Sequence, residues 1–205
     1  MIRDITRRMG EHLAAYPGPW LTGFIGLLAL PFFTGHIPIV RFTEEEITVT
    51  VHSRSITVDA AYHYHNPFPF PVSQGYSLPF PEDENHAPPT RIELVQCLPE
   101  EKPVLVNYSL GKHRFSVYFS ARADVMIRLS YEQKTPRGRG TYILTTAQPW
   151  GHPLEKVAYR LIPKGVRITD SNYPLILERS GEFHWSRERF MPSADWHFAW
   201  KEEEK

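Results

Sequence analysis

Ile47-Thr48-Val49-Thr50-Val51, followed beyond Arg54-Ser55 by Ile56-Thr57-Val58-Asp59, is the stretch on which the fold turns. β-Branched apolar residues fill alternate positions, and polar residues stand between them. Successive side chains of a strand point to opposite faces, so a period of two describes strands with one face buried. Similar runs recur at 91–97, 103–108, 114–119, 125–131, 141–145, 157–162, 175–177, 183–185 and 196–200. Turn chemistry separates them at Leu110-Gly111-Lys112, Pro136 to Gly140, Pro163-Lys164-Gly165 and Asp170-Ser171-Asn172. Many short strands with no alternating helical pattern predict an all-β fold, an immunoglobulin-like antiparallel β-sandwich over residues 41–205. Within it, Pro67-Phe68-Pro69-Phe70-Pro71 lacks ladder donors and reads as a loop, a sheet edge or a polyproline segment.

Ahead of the strands the chain changes character. Ile2, Ile5, Met9, Leu13 and Tyr16 recur at helical spacing among Arg3, Asp4, Arg7, Arg8 and Glu11, which describes an amphipathic interfacial segment over residues 1–18. Leu13 to Val40 contains no Lys, Arg, Asp or Glu. Residues 19–40 carry Trp20, Leu21, Phe24, Ile25, Leu27, Leu28, Leu30, Phe32 and Phe33, and are long enough to cross a hydrocarbon core. Three readings compete here: a buried segment of the fold, a cleaved signal, and an uncleaved signal-anchor. Bulky Phe32 and Phe33 beside Thr34 and Gly35 spoil the small-residue cleavage pattern, which favours the transmembrane anchor. Arg3, Arg7 and Arg8 before the span, and Glu44 to Glu46 after it, predict a single-pass protein with a cytoplasmic amino terminus and a periplasmic or extracellular β domain.

Composition narrows the function classes. Lys plus Arg and Asp plus Glu both number 23, so no net field recruits nucleic acid. The acidic runs Glu44-Glu45-Glu46 and Glu82-Asp83-Glu84 read as solvated surface. One cysteine, Cys97, excludes an intrachain disulfide and reads as a small hydrophobe ending a strand.

Tyr62, Asn66 and Pro67, followed by Tyr76-Ser77-Leu78-Pro79-Phe80-Pro81, resemble the opening strands of inter-alpha-trypsin-type domains. Tyr142-Ile143-Leu144-Thr145-Thr146 with Trp150 and Pro153, and then Phe190, Pro192 and Asp195, resemble exported bacterial β-sandwich domains of unknown function. The resemblance implies a membrane-tethered sandwich and carries no catalytic residues with it.

No constellation of catalytic residues stands out. Ser109-Leu110-Gly111-Lys112 has Ser-x-x-Lys spacing, but a glycine turn between strands replaces the helix that this chemistry needs. The chain lacks Gly-x-Ser-x-Gly, a phosphate-binding glycine loop and His-Glu-x-x-His. It is therefore expected to be non-catalytic and to need no cofactor. The leading reading is a membrane-anchored extracytoplasmic module that binds another membrane or extracytoplasmic protein, or serves as an accessory subunit. Phe68 and Phe70 are its candidate contacts, with Trp196, Phe198 and Trp200, which share one strand face, as a docking strip or a core stripe. A second reading is metal binding: His63 and His65 project from one strand face and could present imidazoles to zinc or copper, with His52 as a further ligand. A third is carbohydrate binding through exposed tryptophans.

Overall fold

A computed structural model describes residues 38–109 and 112–203. The strands, in chain order, are β1 (Arg41–Val51), β2 (Ser55–His65), β3 (Val72–Leu78), β4 (Thr90–Leu98), β5 (Lys102–Pro103), β6 (Asn107–Ser109) and β7 (Lys112–Phe119). They continue as β8 (Asp124–Lys134), β9 (Arg139–Tyr142), β10 (Leu154–Pro163), β11 (Val166–Ser171), β12 (Ile176–Leu177), β13 (Phe183–Phe190) and β14 (Trp196–Glu202). A 3-10 helix, Thr145–Trp150, joins β9 to β10.

Eight strands form one sheet in the order β12-β13-β10-β1-β2-β8-β4-β5. Its cross-strand neighbours Ile47, Ala60, Leu129 and Tyr159, and beside them Val49, Val58, Tyr131 and Leu161, are all buried on one face. The other face carries Thr48, Thr50, Asp59, Arg128, Ser130 and Arg160. This is the half-buried pattern that the alternation in sequence predicts. The second layer consists of two three-stranded sheets, β3-β7-β6 and β11-β14-β9. Phe115, Val117 and Phe119 of the first, and Trp196, Phe198 and Trp200 of the second, join the same core as the large sheet. Ring contacts join the layers: Phe119 lies edge-on to Tyr64 at 6.3 Å, and Trp196 stacks on Tyr159 at 5.5 Å.

The all-β sandwich expectation stands, and two parts of its immunoglobulin-like description need correction. The large sheet is mixed, because β10 runs parallel to β1 from Glu44↔Lys156 to Val51↔Pro163. The facing layer is split in two. Residues 102–109 connect one of its halves to the large sheet: Lys102–Pro103 pair with β4 while Asn107–Ser109 pair with β7, so one strand-like run serves two sheets.

The compact β unit starts at Pro38; Val40 is buried, and the Ile39 N–H donates to Gln74 Oε1 at 3.0 Å. The proposed interfacial segment 1–18 and the anchor residues Trp20 to Phe33 lie outside the described residues. Among the described residues, no helix is long and apolar enough to cross a membrane.

Candidate functional site

Asn66 shapes the proline–phenylalanine loop that follows β2. It is fully buried, and its amide Nδ2 donates to the Phe70 carbonyl at 3.0 Å and to the Ser120 carbonyl at 2.8 Å. Its Oδ1 accepts the Phe68 N–H at 3.0 Å, and its own N–H donates to the Ala123 carbonyl. From the β7–β8 turn, Arg122 reaches back: its backbone N–H bonds the Phe68 carbonyl, and its guanidinium bonds the Pro67 carbonyl. Arg122 holds φ at 57°, a left-handed conformation that this double attachment maintains. The prolines leave few backbone donors in the loop, and one buried amide supplies the missing bonds. The rings of Phe68 and Phe70 stack at 5.1 Å between centroids, and Phe70 is 53% exposed. Both candidate contact residues therefore sit together on a tightly held surface loop.

Trp196, Phe198 and Trp200 belong elsewhere. All three share a face as expected, but that face is the inner one, and Trp196 is 0% exposed. Trp196 donates its indole N–H to Ser171 Oγ, and Trp200 donates its own to the Ser53 carbonyl. Gly140 of β9 lies against the Phe198 ring, so closely that a Cβ there would overlap it. These aromatics are core, which withdraws Trp196, Phe198 and Trp200 as a docking strip and Trp196 and Trp200 as sugar-stacking rings. The sequence left the two faces of this strand open; the facing layer decides which is inner.

His63 and His65 do project from one face, the polar outer face of the large sheet. His65 Nδ1 lies 2.8 Å from Asp124 Oδ1 on β8, and Glu44 pairs with His63 across β1. A shallow cleft of about 520 Å³ collects Arg41, Glu44, His63, His65, Asp124 and Glu155, with Arg41 and Glu155 paired at 3.3 Å. Among the described residues, no group of three or more His, Cys, Asp or Glu side chains converges to hold a metal. His52 is at the far end of the β1–β2 hairpin and cannot join them. Cation and carboxylate here neutralise each other across strands, the ordinary arrangement of a solvated sheet face.

The sequence reading missed a buried carboxylic acid. Glu45, taken with its neighbours as solvated surface, is 3% exposed and points between the layers. The alternation Ile47-Val49-Val51, extended back by one step, places it on the core face; that signal was available. A register irregularity between Phe42 and Glu44 then switches phase, so that Phe42 is inward as well. Tyr159 donates its hydroxyl to Glu45 Oε2 at 3.1 Å, and the Tyr62 and Tyr142 hydroxyls bond each other. Burial raises the Glu45 pKa from 4.5 to about 8, opposed in part by the Tyr159 bond. Tyr62, Tyr64, Tyr142 and Tyr159 are pushed well above the usual phenol range, first by burial and also by the Glu45 charge. At neutral pH this is a neutral carboxyl among neutral phenols. It lines neither the cleft beside His63 and His65 nor the one beside Gln96, and its hydrogen bond runs to Tyr159 in the core.

The motif residues behind the resemblance also have structural roles. Asp195 Oδ1 accepts the N–H groups of Leu144 and Thr145 at 3.0 and 2.9 Å, and the Thr145 hydroxyl at 2.8 Å, so it holds the start of the 3-10 helix. Trp150, at the end of that helix, packs against Phe42, Tyr64 and Tyr76.

No protein-family model matches this chain, and no curated protein matches it. Among solved structures, the chain is similar to a protein of Legionella pneumophila subsp. pneumophila provisionally named a nutrient binding protein. That likeness has a TM-score of 0.63 at 14% identity and covers 80% of this chain and 67% of that one. An M1 zinc metallopeptidase of Deinococcus radiodurans gives a TM-score of 0.40 at 9% identity, and a two-domain M1 zinc metallopeptidase bound to L-arginine gives 0.44 at 9%. In both, the matched part spans 78% of this chain and 42% of the metallopeptidase. At these identities the likeness to the Legionella protein establishes a shared fold.

Proposed function

We propose that this protein is a non-catalytic, membrane-anchored module whose extracytoplasmic β-sandwich binds a protein partner, or serves as an accessory subunit of a membrane complex. The observation that carries the reading is the stacked Phe68–Phe70 pair, presented on a loop that Asn66 and Arg122 hold in place. A fixed aromatic pair loses little conformational freedom on binding, and that makes it an efficient anchor for a protein contact. The sequence supports the tether: residues 19–40 form a charge-free apolar run behind Arg3, Arg7 and Arg8. The Legionella protein of similar fold is provisionally named a nutrient binding protein, which accords with a non-catalytic binding role and says nothing of a protein partner.

Two experiments test it. Membrane fractionation with protease accessibility should place the chain in the pellet, with residues 41–205 digestible only from the extracytoplasmic side. Affinity capture of the full chain from gently solubilised membranes should recover a stoichiometric partner, and Phe68→Ser with Phe70→Ser should release it while leaving the unfolding midpoint unchanged. Recovery of the full chain alone, or of the same partner with the double variant, refutes the reading.

A further inference from the structure

The β6–β7 hairpin stops pairing sooner than its register requires. Asn107 pairs with Arg114 and Ser109 with Lys112, so continued pairing would set Leu105 beside Ser116 and Pro103 beside Tyr118. Instead the chain leaves at Val106 and crosses to the large sheet, where Lys102 and Pro103 pair with Gln96 and Val95. Among the described residues, β7 from Phe115 to Phe119 thus has a neighbour on one side only, β3. Polar groups of alternate residues face alternate sides of an antiparallel strand. Counted from the Ser109–Lys112 pair that closes the hairpin, the N–H and C=O groups of Ser116 and Tyr118 face the vacated side.

That side is a cleft of about 490 Å³, within the range of small binding sites. Gln96 forms part of its floor. It is 3% exposed. Lys102 and Arg114 also line the cleft, and among the described residues no Asp or Glu does. Leu105, 84% exposed, and Tyr118 supply apolar surface at its rim. The edge segment itself, Phe115-Ser116-Val117-Tyr118, contains no charge and no proline.

We infer that this slot accepts an extended peptide segment bearing a carboxylate, which adds as a strand beside Ser116 and Tyr118. The peptide backbone bonds the free groups of those two residues, and the Gln96 amide takes a further bond from below. A carboxylate on the peptide lies beside Arg114 and Lys102, and alternate apolar side chains turn toward Leu105 and Val104. The inference rests on the binding reading above but concerns a surface separate from the Phe68–Phe70 loop.

The test uses the full chain in detergent micelles and a library of N-acetylated heptapeptides, randomised at flanking positions and fixed at the centre as Glu or Lys. Binders should come from the Glu set and exceed their Lys counterparts by about tenfold in affinity. Arg114→Glu with Lys102→Glu should reverse that preference, and Gln96→Leu should weaken binding with the fold intact. Methylating the peptide nitrogens of alternate residues, in two complementary sets, should abolish binding for one set and spare the other. Equal binding of Glu and Lys peptides, equal behaviour of the two methylated sets, or a homodimer broken by Arg114→Glu overturns the inference. If the library fails while membranes still yield a partner, the slot falls and the binding reading stands; if neither yields a ligand, both fall.

Discussion

Replacing Glu45 by Gln should stabilise the protein, and by an amount that grows with pH. The carboxyl titrates near 4.5 when free in solution and at about 8 in the folded protein. The fold therefore favours the protonated acid. The stability contributed by that proton is fully present below pH 4.5, declines as the unfolded chain ionises, and is lost once pH passes 8. Within this window each pH unit costs about 1.4 kcal/mol. At pH 7 the penalty is about 3 kcal/mol, and it saturates near 5 kcal/mol above pH 8, as orders of magnitude. Gln keeps the volume and the oxygen that accepts from Tyr159, but it has no proton to lose. Equilibrium urea unfolding of wild type and Glu45→Gln between pH 5 and 9 provides the assay, because groups that do not sense Glu45 cancel in the difference and the coupled tyrosines stay protonated in the fold across this range. The gap should widen with pH at about 1.4 kcal/mol per unit and level off above pH 8. A gap independent of pH would refute a buried, protonated Glu45.

Three further substitutions test the framework by the same unfolding measurement. Asn66→Ala leaves the Phe68 N–H and the Phe70 and Ser120 carbonyls without their partner, and should cost about 3 kcal/mol while freeing the loop to protease. Asp195→Ala removes three bonds from the start of the 3-10 helix and should cost about 2–3 kcal/mol, with Asp195→Asn recovering part of it. Gly140→Ala drives a methyl group into the Phe198 ring and should cost about 2 kcal/mol or more, an amount that Phe198→Leu in the same chain reduces.

Alternation written in β-branched residues made the strands legible. Ile47 to Val51, Ile56 to Val58 and Val125 to Tyr131 name both their conformation and their inward face. Where the pattern weakened, so did the reading. β3, Val72–Leu78, puts the polar Gln74 at a core-facing position, and β11, Val166–Ser171, alternates only over Val166 to Thr169, so neither stands out as a run by its periodicity. Thr141 to Thr145 reads as one strand, yet β9 ends at Tyr142 and a 3-10 helix follows, because Asp195, fifty residues away, supplies the bonds that start it.

The sequence by itself determined that this chain is built of one-faced strands, that Pro67 to Pro71 stands outside any ladder, and that a charge-free apolar run precedes the β unit. Those properties are local: steric preference, missing donors and transfer energy act over a few residues at a time. Only the tertiary structure decided that Trp196, Phe198 and Trp200 face inward, that Glu45 is neutral among tyrosines, and that among the described residues no strand pairs with the Ser116–Tyr118 edge of β7. Each of these depends on which strand lies opposite. Pairing joins residues more than a hundred positions apart, as in Glu45 with Tyr159, and no local pattern encodes that partner.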